Sequence, residues 1–226
     1  MANFIYITLD TTAPANPTIS IAGGAMFATS QLVSLTVSVA DTNTSNYQMK
    51  IWGDVDESYD NNIKKTEAES GWIPYSNNPQ VKLSGSDGTK SISLRVRDDV
   101  HNASSIVVDD IKLDTNIPTV TVTNPDVAKI SKVAGKDTFS FNFSASEAFT
   151  EYKVKLVGST GATQDTGTQI PMTNKSVNTS GTGAFTEATV TTVTIKGADL
   201  ELAGATSDGQ KIIKVFVKDT SGLWSA

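Results

Sequence analysis

Side chains that could carry out catalysis are scarce in this sequence. His101 is its one histidine, and it contains no cysteine. A nucleophilic triad needs a base beside its serine or cysteine, and a zinc site needs histidine or thiolate ligands, so neither can be assembled. No serine lies in a G-x-S-x-G turn, and no pair of carboxylates stands out for glycoside hydrolysis. We therefore expect no catalytic residues and no enzymatic activity.

Two groups of aspartates raise the question of calcium, because clustered carboxylate oxygens suit a hard cation. Asp54, Asp56 and Asp60 are closely spaced in a polar segment. The helix-loop-helix calcium motif is excluded, since Tyr59 stands at its glycine position and Lys65 at its bidentate glutamate position. A less regular calcium site in this loop or in the second group remains the alternative to solvated acidic loops. The second group, at a predicted domain junction, is Asp98, Asp109, Asp110 and Asp114.

Several aromatic residues could contact a ligand or a partner. Trp72, Tyr75 and Tyr59 fall in predicted loops and could stack on a glycan, although packing within a small core is the commoner role of such residues. Trp224 follows the last predicted strand and could contact a neighbouring protein. We expect no cofactor besides calcium. The remaining candidates for partner contact are Phe4, Ile5, Tyr6 and Ile7.

Composition excludes several classes of partner. The net charge of −6 and the pI of about 4.8 argue against nucleic acid, because the 18 basic residues are scattered along the chain. No apolar run approaches the length of a membrane span. Residues 1–9 lack the basic and long apolar regions of a secretory signal, which indicates either a chain not exported by that route or a signal outside these residues.

An internal repeat organises the chain. The segment 86–98 recurs as 207–219 without a gap, an offset of 121 positions, and seven of the thirteen residues are identical. Both copies begin with Asp-Gly, which indicates a tight turn with positive φ, and continue as alternating apolar and polar residues. A second pair of segments, 7–11 and 111–115, matches at an offset of 104. The repeat predicts two domains, and the larger second offset indicates about 17 additional residues in the second domain, most of them in a long hairpin or loop at 158–185.

Alternation of apolar and polar residues predicts strands throughout both repeats, and no segment shows a convincing helical period beyond one short turn at 199–203. Residues 32–40 are the clearest case, with Val33, Leu35 and Val37 on one face. The predicted strands of the first repeat are 18–22, 32–40, 46–52, 80–83, 90–97 and 104–108. Those of the second are 119–123, 139–145, 152–157, 189–195 and 212–218. Short strands at this spacing are typical of β-sandwiches.

The motifs at the domain joins resemble bacterial Ig-like tandem domains. Such modules typically read DTTAP at the join and VRDAAGN at the last hairpin; here the join reads DTTAP at 10–14 and the hairpin VRDDVHN at 96–102. The segments 72–75 and 83–90 add to the likeness. In the second repeat, 219–224 keeps the Asp and Gly of the hairpin but the Trp-Pro-Tyr segment is missing. The resemblance implies an all-β chain of two tandem Ig-like β-sandwiches, at 10–113 and 114–226, with an extra amino-terminal strand at 1–9.

The two repeats are expected to differ in their closing strands. The first repeat has residues for a closing strand after its last hairpin, whereas the second repeat lacks that strand within this sequence. Residues 4–9 align with 108–113, the end of a closing strand, yet no domain precedes them here. Further chain after Ala226 is expected to supply the closing strand, while residues 1–9 pack nearby. Because open sheet edges recruit strands, the alternative is that residues 1–9 of one copy, or a strand of another protein, act as a donor or docking strand that completes the second domain.

The resemblance also implies a function, since such modules are common in bacteriophage virion proteins and bacterial surface proteins. We expect a non-enzymatic structural protein of a phage tail, baseplate or fibre, assembled in the host cytoplasm. It would act as a spacer or docking module that contacts other virion proteins or further copies of itself. The alternative is an adhesin or carbohydrate-binding module on a phage fibre or on the bacterial surface, with a host cell-surface glycan as its partner.

Overall fold

The computed structural model describes residues 4–40 and 46–226, which form two compact units divided between Thr115 and Asn116. Both units consist of β-strands arranged in two sheets, so the prediction of an all-β chain is confirmed. The described residues contain one short α-helix, α1 (Gly197–Leu202), close to the helical turn expected at 199–203. No helix among them is both long and apolar enough to span a membrane.

The first unit is an Ig-like sandwich of three strands against five. One sheet has the order β1-β3-β6, and the other has the order β2-β8-β7-β4-β5, in which β2 runs parallel to β8 and the remaining neighbours are antiparallel. The strands are β1 (Ala15–Ile21), β2 (Phe27–Ala28), β3 (Leu32–Ala40), β4 (Gln48–Gly53), β5 (Ile73–Pro74), β6 (Gln80–Lys82), β7 (Gly88–Arg97) and β8 (Val107–Leu113).

Alternating residues build the core of this unit, as the sequence predicts. In β3, Val33, Leu35 and Val37 are buried, and the serine and threonine residues between them are exposed. In β7, Ile92, Leu94 and Val96 are fully buried on the same face of the strand. Since side chains alternate across a strand, each of these strands contributes one wall of the sandwich core.

The second unit also has two sheets, and its larger sheet has four described strands where that of the first unit has five. Its first sheet has the order β14-β10-β9, and in its second sheet β11 pairs with β15 along one edge and with β12 and β13 along the other. The core contains Phe141 and Phe143 of β10, packed with Phe149 and Tyr152 of β11. The strands are β9 (Val120–Val122), β10 (Thr138–Ala145), β11 (Phe149–Val157), β12 (Thr168–Gln169), β13 (Ser180–Phe185), β14 (Thr191–Lys196) and β15 (Ile212–Asp219).

Two segments can be compared with the sequence-based expectations. The strand predicted at 104–108 is instead β8, because Asp109 and Asp110 continue the strand: Asp109 accepts the Ile21 amide at 2.7 Å, and Asp110 accepts the Ser91 hydroxyl. The segment 158–185, expected as a long hairpin or loop, contains β12 and β13, and each pairs antiparallel with β11, so β11 and β12 form a hairpin. Pairing with a formed strand overrides the loop-like composition of these residues.

Residues 4–9 are predicted as a strand. In the structure they belong to none of the sheets formed by the described residues. Residues 1–3 of that predicted strand lie outside the described residues. The Asp-Gly turns have the predicted backbone, since φ is +127° at Gly88 and +113° at Gly209.

Candidate interaction site

The last hairpin of the first unit returns along the outer edge of β7, on the side away from β4. The amide of Asp98 donates to the Asn102 carbonyl at 3.1 Å, and the amide of Ser104 donates to the Val96 carbonyl at 2.8 Å. The Ser104 hydroxyl also accepts the Val96 amide at 3.1 Å. From Val107 onward the returning chain becomes β8 and pairs with β7 as far as Gly88.

The second unit repeats this hairpin along the outer edge of β15. The amide of Asp219 donates to the Leu223 carbonyl at 2.9 Å, and Ser225 makes the same two bonds to Val217, at 2.9 and 3.1 Å. No described strand follows along that edge; the described contacts there end with Ser225 and the Lys218–Trp224 bridge. Among the described residues, no strand pairs with the outer edge of β15 at the position that β8 occupies beside β7 in the first unit.

A buried aspartate anchors each of the two hairpins. Oδ1 of Asp98 accepts the backbone amides of Val100 and Asn102, and its Oδ2 accepts the Asn102 side-chain amide. Oδ1 of Asp219 likewise accepts hydrogen bonds from the amides of Ser221, Gly222 and Leu223. Such bonds fix a tight turn by replacing the water that its amides lose.

The residues predicted to contact a partner differ in what covers them. Phe4, Ile5, Tyr6 and Ile7 are almost fully exposed, with exposed fractions of 77% to 94%. Trp224 is half-buried, and the ammonium groups of Lys153 and Lys218 lie 4.6 and 5.9 Å from its ring centroid. The exposed segment 4–9 thus combines large apolar side chains with a backbone that pairs with no described strand.

The three aromatic residues predicted for glycan binding have separate surroundings. The Trp72 ring lies 4.2 Å from the Arg97 guanidinium and 5.1 Å from the Lys50 ammonium. The Tyr75 hydroxyl donates to the Val37 carbonyl at 3.2 Å, and burial raises its pKa. Tyr59 is exposed in the acidic loop, and no ring contact among the described residues joins these three aromatics. A sugar stacked on Trp72 would have to displace Arg97 or Lys50.

The carboxylates of the acidic loop accept local hydrogen bonds. Asp54 accepts the Ser91 amide at 3.0 Å, and Asp60 accepts the Asn62 amide at 2.7 Å. Asp56 pairs with Lys82 at 2.7 Å and accepts the Ser58 amide and hydroxyl, and these bonds, the lysine first, hold the pKa of Asp56 well below its usual range.

The second group of aspartates is distributed over different contacts within the first unit. Asp98 fixes the hairpin, Asp109 accepts the Ile21 amide, and Asp110 accepts the Ser91 hydroxyl. The backbone amide of Asp114 donates to the Ala28 carbonyl at 2.9 Å. Three of these four carboxylates therefore already have a structural hydrogen bond.

Asp199, a residue that the sequence did not single out, is fully buried at the start of α1. Its Oδ1 accepts hydrogen bonds from Thr173 and from the Asn174 amide, and its Oδ2 accepts the Ser176 amide at 3.0 Å. Burial alone would raise the pKa of Asp199, but the hydrogen bonds from Ser176, Asn174 and Thr173 outweigh it and lower the pKa to about 2. Asp199 thus ties the loop before β13 to the helix.

One signal in the sequence could have identified the hairpin anchors. Asp219 and Ser225 stand 121 positions after Asp98 and Ser104, the offset already found for the flanking repeat. Asp199 has no counterpart at that offset, because residue 78 is an asparagine in a different part of the first unit. Its role depends on a loop whose fold the sequence pattern does not predict.

Of the comparisons with known proteins, only the one with solved structures finds chains similar to this one. No family model matches the sequence, and no curated protein matches it. The fibronectin(III)-like modules of Clostridium thermocellum CbhA are 11% identical over 92% of this chain and 90% of theirs, with a TM-score of 0.44. The D00-D0 domain of intimin is 14% identical over 93% of this chain and 97% of its own, with a TM-score of 0.33. The chitinase ChiA74 from Bacillus thuringiensis is 13% identical over 92% of this chain, which spans 30% of that protein, with a TM-score of 0.31.

Proposed function

We propose that this chain is a non-enzymatic structural module that acts by binding other proteins through a sheet edge. The observation that carries the proposal is that no described strand pairs with the outer edge of β15, whereas β8 covers the corresponding edge of β7 in the first unit. Unpaired amides and carbonyls along an edge form a template for an added strand, and strand addition is a common mode of protein recognition.

The polar side chains near this edge support a structural role. The Asp219 carboxylate holds the hairpin amides, and the Ser225 hydroxyl accepts the Val217 amide. These groups form the turn that follows β15, and each already has a bonding role in the fold. We assign them to shaping the edge, not to catalysis.

We further propose that the module belongs to a bacteriophage virion, in a tail, baseplate or fibre. This part of the proposal rests on the motifs shared with bacterial Ig-like tandem domains, at 10–14 and 96–102. Virion assembly repeats one contact many times by symmetry, so a chain with one strand acceptor suits that use.

Immunogold electron microscopy of particles purified from the producing culture tests the proposal. Label at a defined part of the virion is the expected result, and its place on the head, tail shaft or tip would identify the assembly. Label on bacterial surfaces and none on particles would overturn the virion proposal and favour an adhesin. Release of sugar from cell-wall material by the purified protein would contradict a non-enzymatic role.

A further inference from the structure

The open edge of β15 has a defined length and direction. In β15 the amides of Val217 and Asp219 donate outward to the hairpin, away from β11. Because backbone groups alternate between the two edges of a strand, Val215 and Ile213 also direct their amides and carbonyls outward. These groups correspond to Leu94 and Ile92 of β7, both of which pair with β8.

Burial in the two units shows which side chains a strand beside β15 would cover. In the first unit, Lys90 and Ile92 are 5% and 0% exposed, with β8 beside them. Their counterparts in the second unit, Lys211 and Ile213, are only half-buried. The side chains that β8 contributes to the first core, Ile111 and Leu113, are 2% and 0% exposed, and no described strand supplies equivalents to the second core.

The same chain carries a segment that matches the closing strand β8 of the first unit. Residues 4–9 align with 108–113 at an offset of 104, and in this alignment Ile7 matches Ile111 and Leu9 matches Leu113. Ile5, Ile7 and Leu9 are exposed by 93%, 92% and 85% and pair with no described strand. Large apolar side chains left in water in this way are strongly favoured to enter a core.

We propose that residues 4–9 of one copy of this chain add to the outer edge of β15 in a second copy, as an antiparallel strand. The register follows from the pairing of β7 with β8, in which Gly88 lies opposite Leu113 and Lys90 opposite Ile111. Transferring both repeat offsets places Leu9 opposite Gly209, Ile7 opposite Lys211 and Ile5 opposite Ile213. The three donated apolar side chains then face the second core.

The donor and the acceptor are different surfaces of the chain, so each copy can give one strand and receive another. Such a heterologous contact produces open chains of copies, or rings where the rotation closes. The inference deepens the proposed function and rests on it, since it names the partner of the open edge as a second copy of the same protein.

Association in solution is the first test. Sedimentation velocity over a range of concentrations should show assembly of the wild-type protein. Ile7→Asp should weaken that assembly by about tenfold or more, because a carboxylate would have to enter the core. Thr8→Asp is the matched control: it changes a neighbouring exposed residue that faces outward in the proposed strand, and it should assemble as the wild type does. Both substitutions lie at exposed positions outside the sheets, so both variants should fold.

Cross-linking tests the register. The chain has no cysteine, so single substitutions give clean pairs. In the proposed register, Tyr6 lies opposite Ile212 in a non-hydrogen-bonded pair, whose Cα atoms approach to about 4.5 Å, within reach of a disulfide. Mixing Tyr6→Cys protein with Ile212→Cys protein should therefore give a disulfide-linked dimer under mild oxidation. Mixing Tyr6→Cys with Lys218→Cys protein should not, because Lys218 lies six positions further along β15, about 20 Å away.

Each other outcome overturns the proposal. A protein that stays monomeric, but forms the Tyr6–Ile212 disulfide within one doubly substituted chain, would show that its own amino-terminal segment fills the edge. Absence of both assembly and cross-link would show that copies of this chain do not exchange residues 4–9. Immunogold label on virions together with either result would leave the proposed function standing and reject only the strand exchange.

Discussion

The side-chain amide of Asn102 donates to the buried carboxylate of Asp98 at 2.8 Å, and the equivalent position in the second unit is Leu223, which has no amide to donate. As a consequence, Oδ2 of Asp219 is buried with no hydrogen-bond partner in the second unit. The two hairpins therefore share a backbone path but differ in how well their anchoring carboxylate is satisfied.

Leu223→Asn should stabilise the second unit by about 1 kcal/mol, because the new amide can bond the unpaired oxygen of Asp219. The converse change, Asn102→Leu, should cost the first unit about 1–3 kcal/mol by leaving Asp98 half-satisfied. Urea unfolding followed by fluorescence reads the second unit in a Trp52→Phe, Trp72→Phe background, in which Trp224 is the remaining tryptophan, and reads the first unit in a Trp224→Phe background. A lower free energy of unfolding in Leu223→Asn would show that the unpaired oxygen of Asp219 does not limit the stability of this hairpin.

Gly181→Ala should destabilise the second unit by about 1–3 kcal/mol. A Cβ at Gly181 would lie 2.5 Å from Cε1 of Tyr152, a buried ring in the core, so β13 would have to shift away from β11. Gly158→Ala is the control, because a Cβ there meets no atom within 4 Å. Equal unfolding midpoints for the two variants in urea would contradict close packing of Gly181 on Tyr152.

The second unit should lose stability as the pH falls from about 4 to about 2. Hydrogen bonds lower the pKa of Asp199 to about 2, below the value of an unfolded aspartate, so the unfolded chain takes up this proton first. The stabilisation is complete above pH 4 and is lost as the pH passes through the lowered pKa.

Asp199→Asn isolates this effect. It should cost about 1–3 kcal/mol at pH 7, because its NH₂ group would face the Ser176 amide in place of an acceptor oxygen. The difference in unfolding free energy between wild type and variant, measured across the pH range, should shrink below pH 4. A constant difference would show that Asp199 does not titrate in this window.

Trp72→Ala should destabilise the first unit by about 1–2 kcal/mol, since Arg97 and Lys50 lose the ring that they cover. The measurement is urea unfolding followed by circular dichroism, with Tyr59→Ala as the control for an exposed aromatic residue. Unchanged stability combined with lost binding to host cells would instead identify Trp72 as part of a glycan platform.

Calcium should leave the unfolding of the first unit unchanged. Asp54, Asp56 and Asp60 already accept bonds from nearby amides, hydroxyls and Lys82, which a cation would have to displace. Thermal unfolding of a Trp224→Phe variant, followed by fluorescence with calcium and with a chelator, reports this unit. A higher midpoint with calcium would show that the acidic loop rearranges to bind it.

Period-two patterns predicted the strands that build the two cores. Val33, Leu35 and Val37 alternate with hydroxyl residues because one face is buried, and that alternation is visible without a structure. The offset repeat likewise aligned β15 with β7. The strands could be predicted because their pattern depends on residues close in sequence, and the alignment of β15 with β7 because it depends on an internal repeat.

The expectations that changed depend on contacts between distant segments. Asp109 looked like a loop residue, yet it lies within β8 because the Ile21 amide, 88 positions earlier, supplies its hydrogen bond. The Arg97 side chain, which extends from the end of β7, covers the Trp72 ring. Composition does not encode such pairings, so strand limits and the surroundings of candidate site residues needed the structure.

The parallel pairing of β2 with β8 gives the first unit a mechanical character. Phe27 pairs with Lys112 and Ala28 with Leu113, and the chain enters this unit through β1 and leaves it through β8. Because β2 follows β1 and runs parallel to β8, tension applied at the two ends of this unit and transmitted through β1 would load the β2–β8 hydrogen bonds along the strands, in shear. We expect bonds that are loaded together to resist tension better than bonds that open one by one.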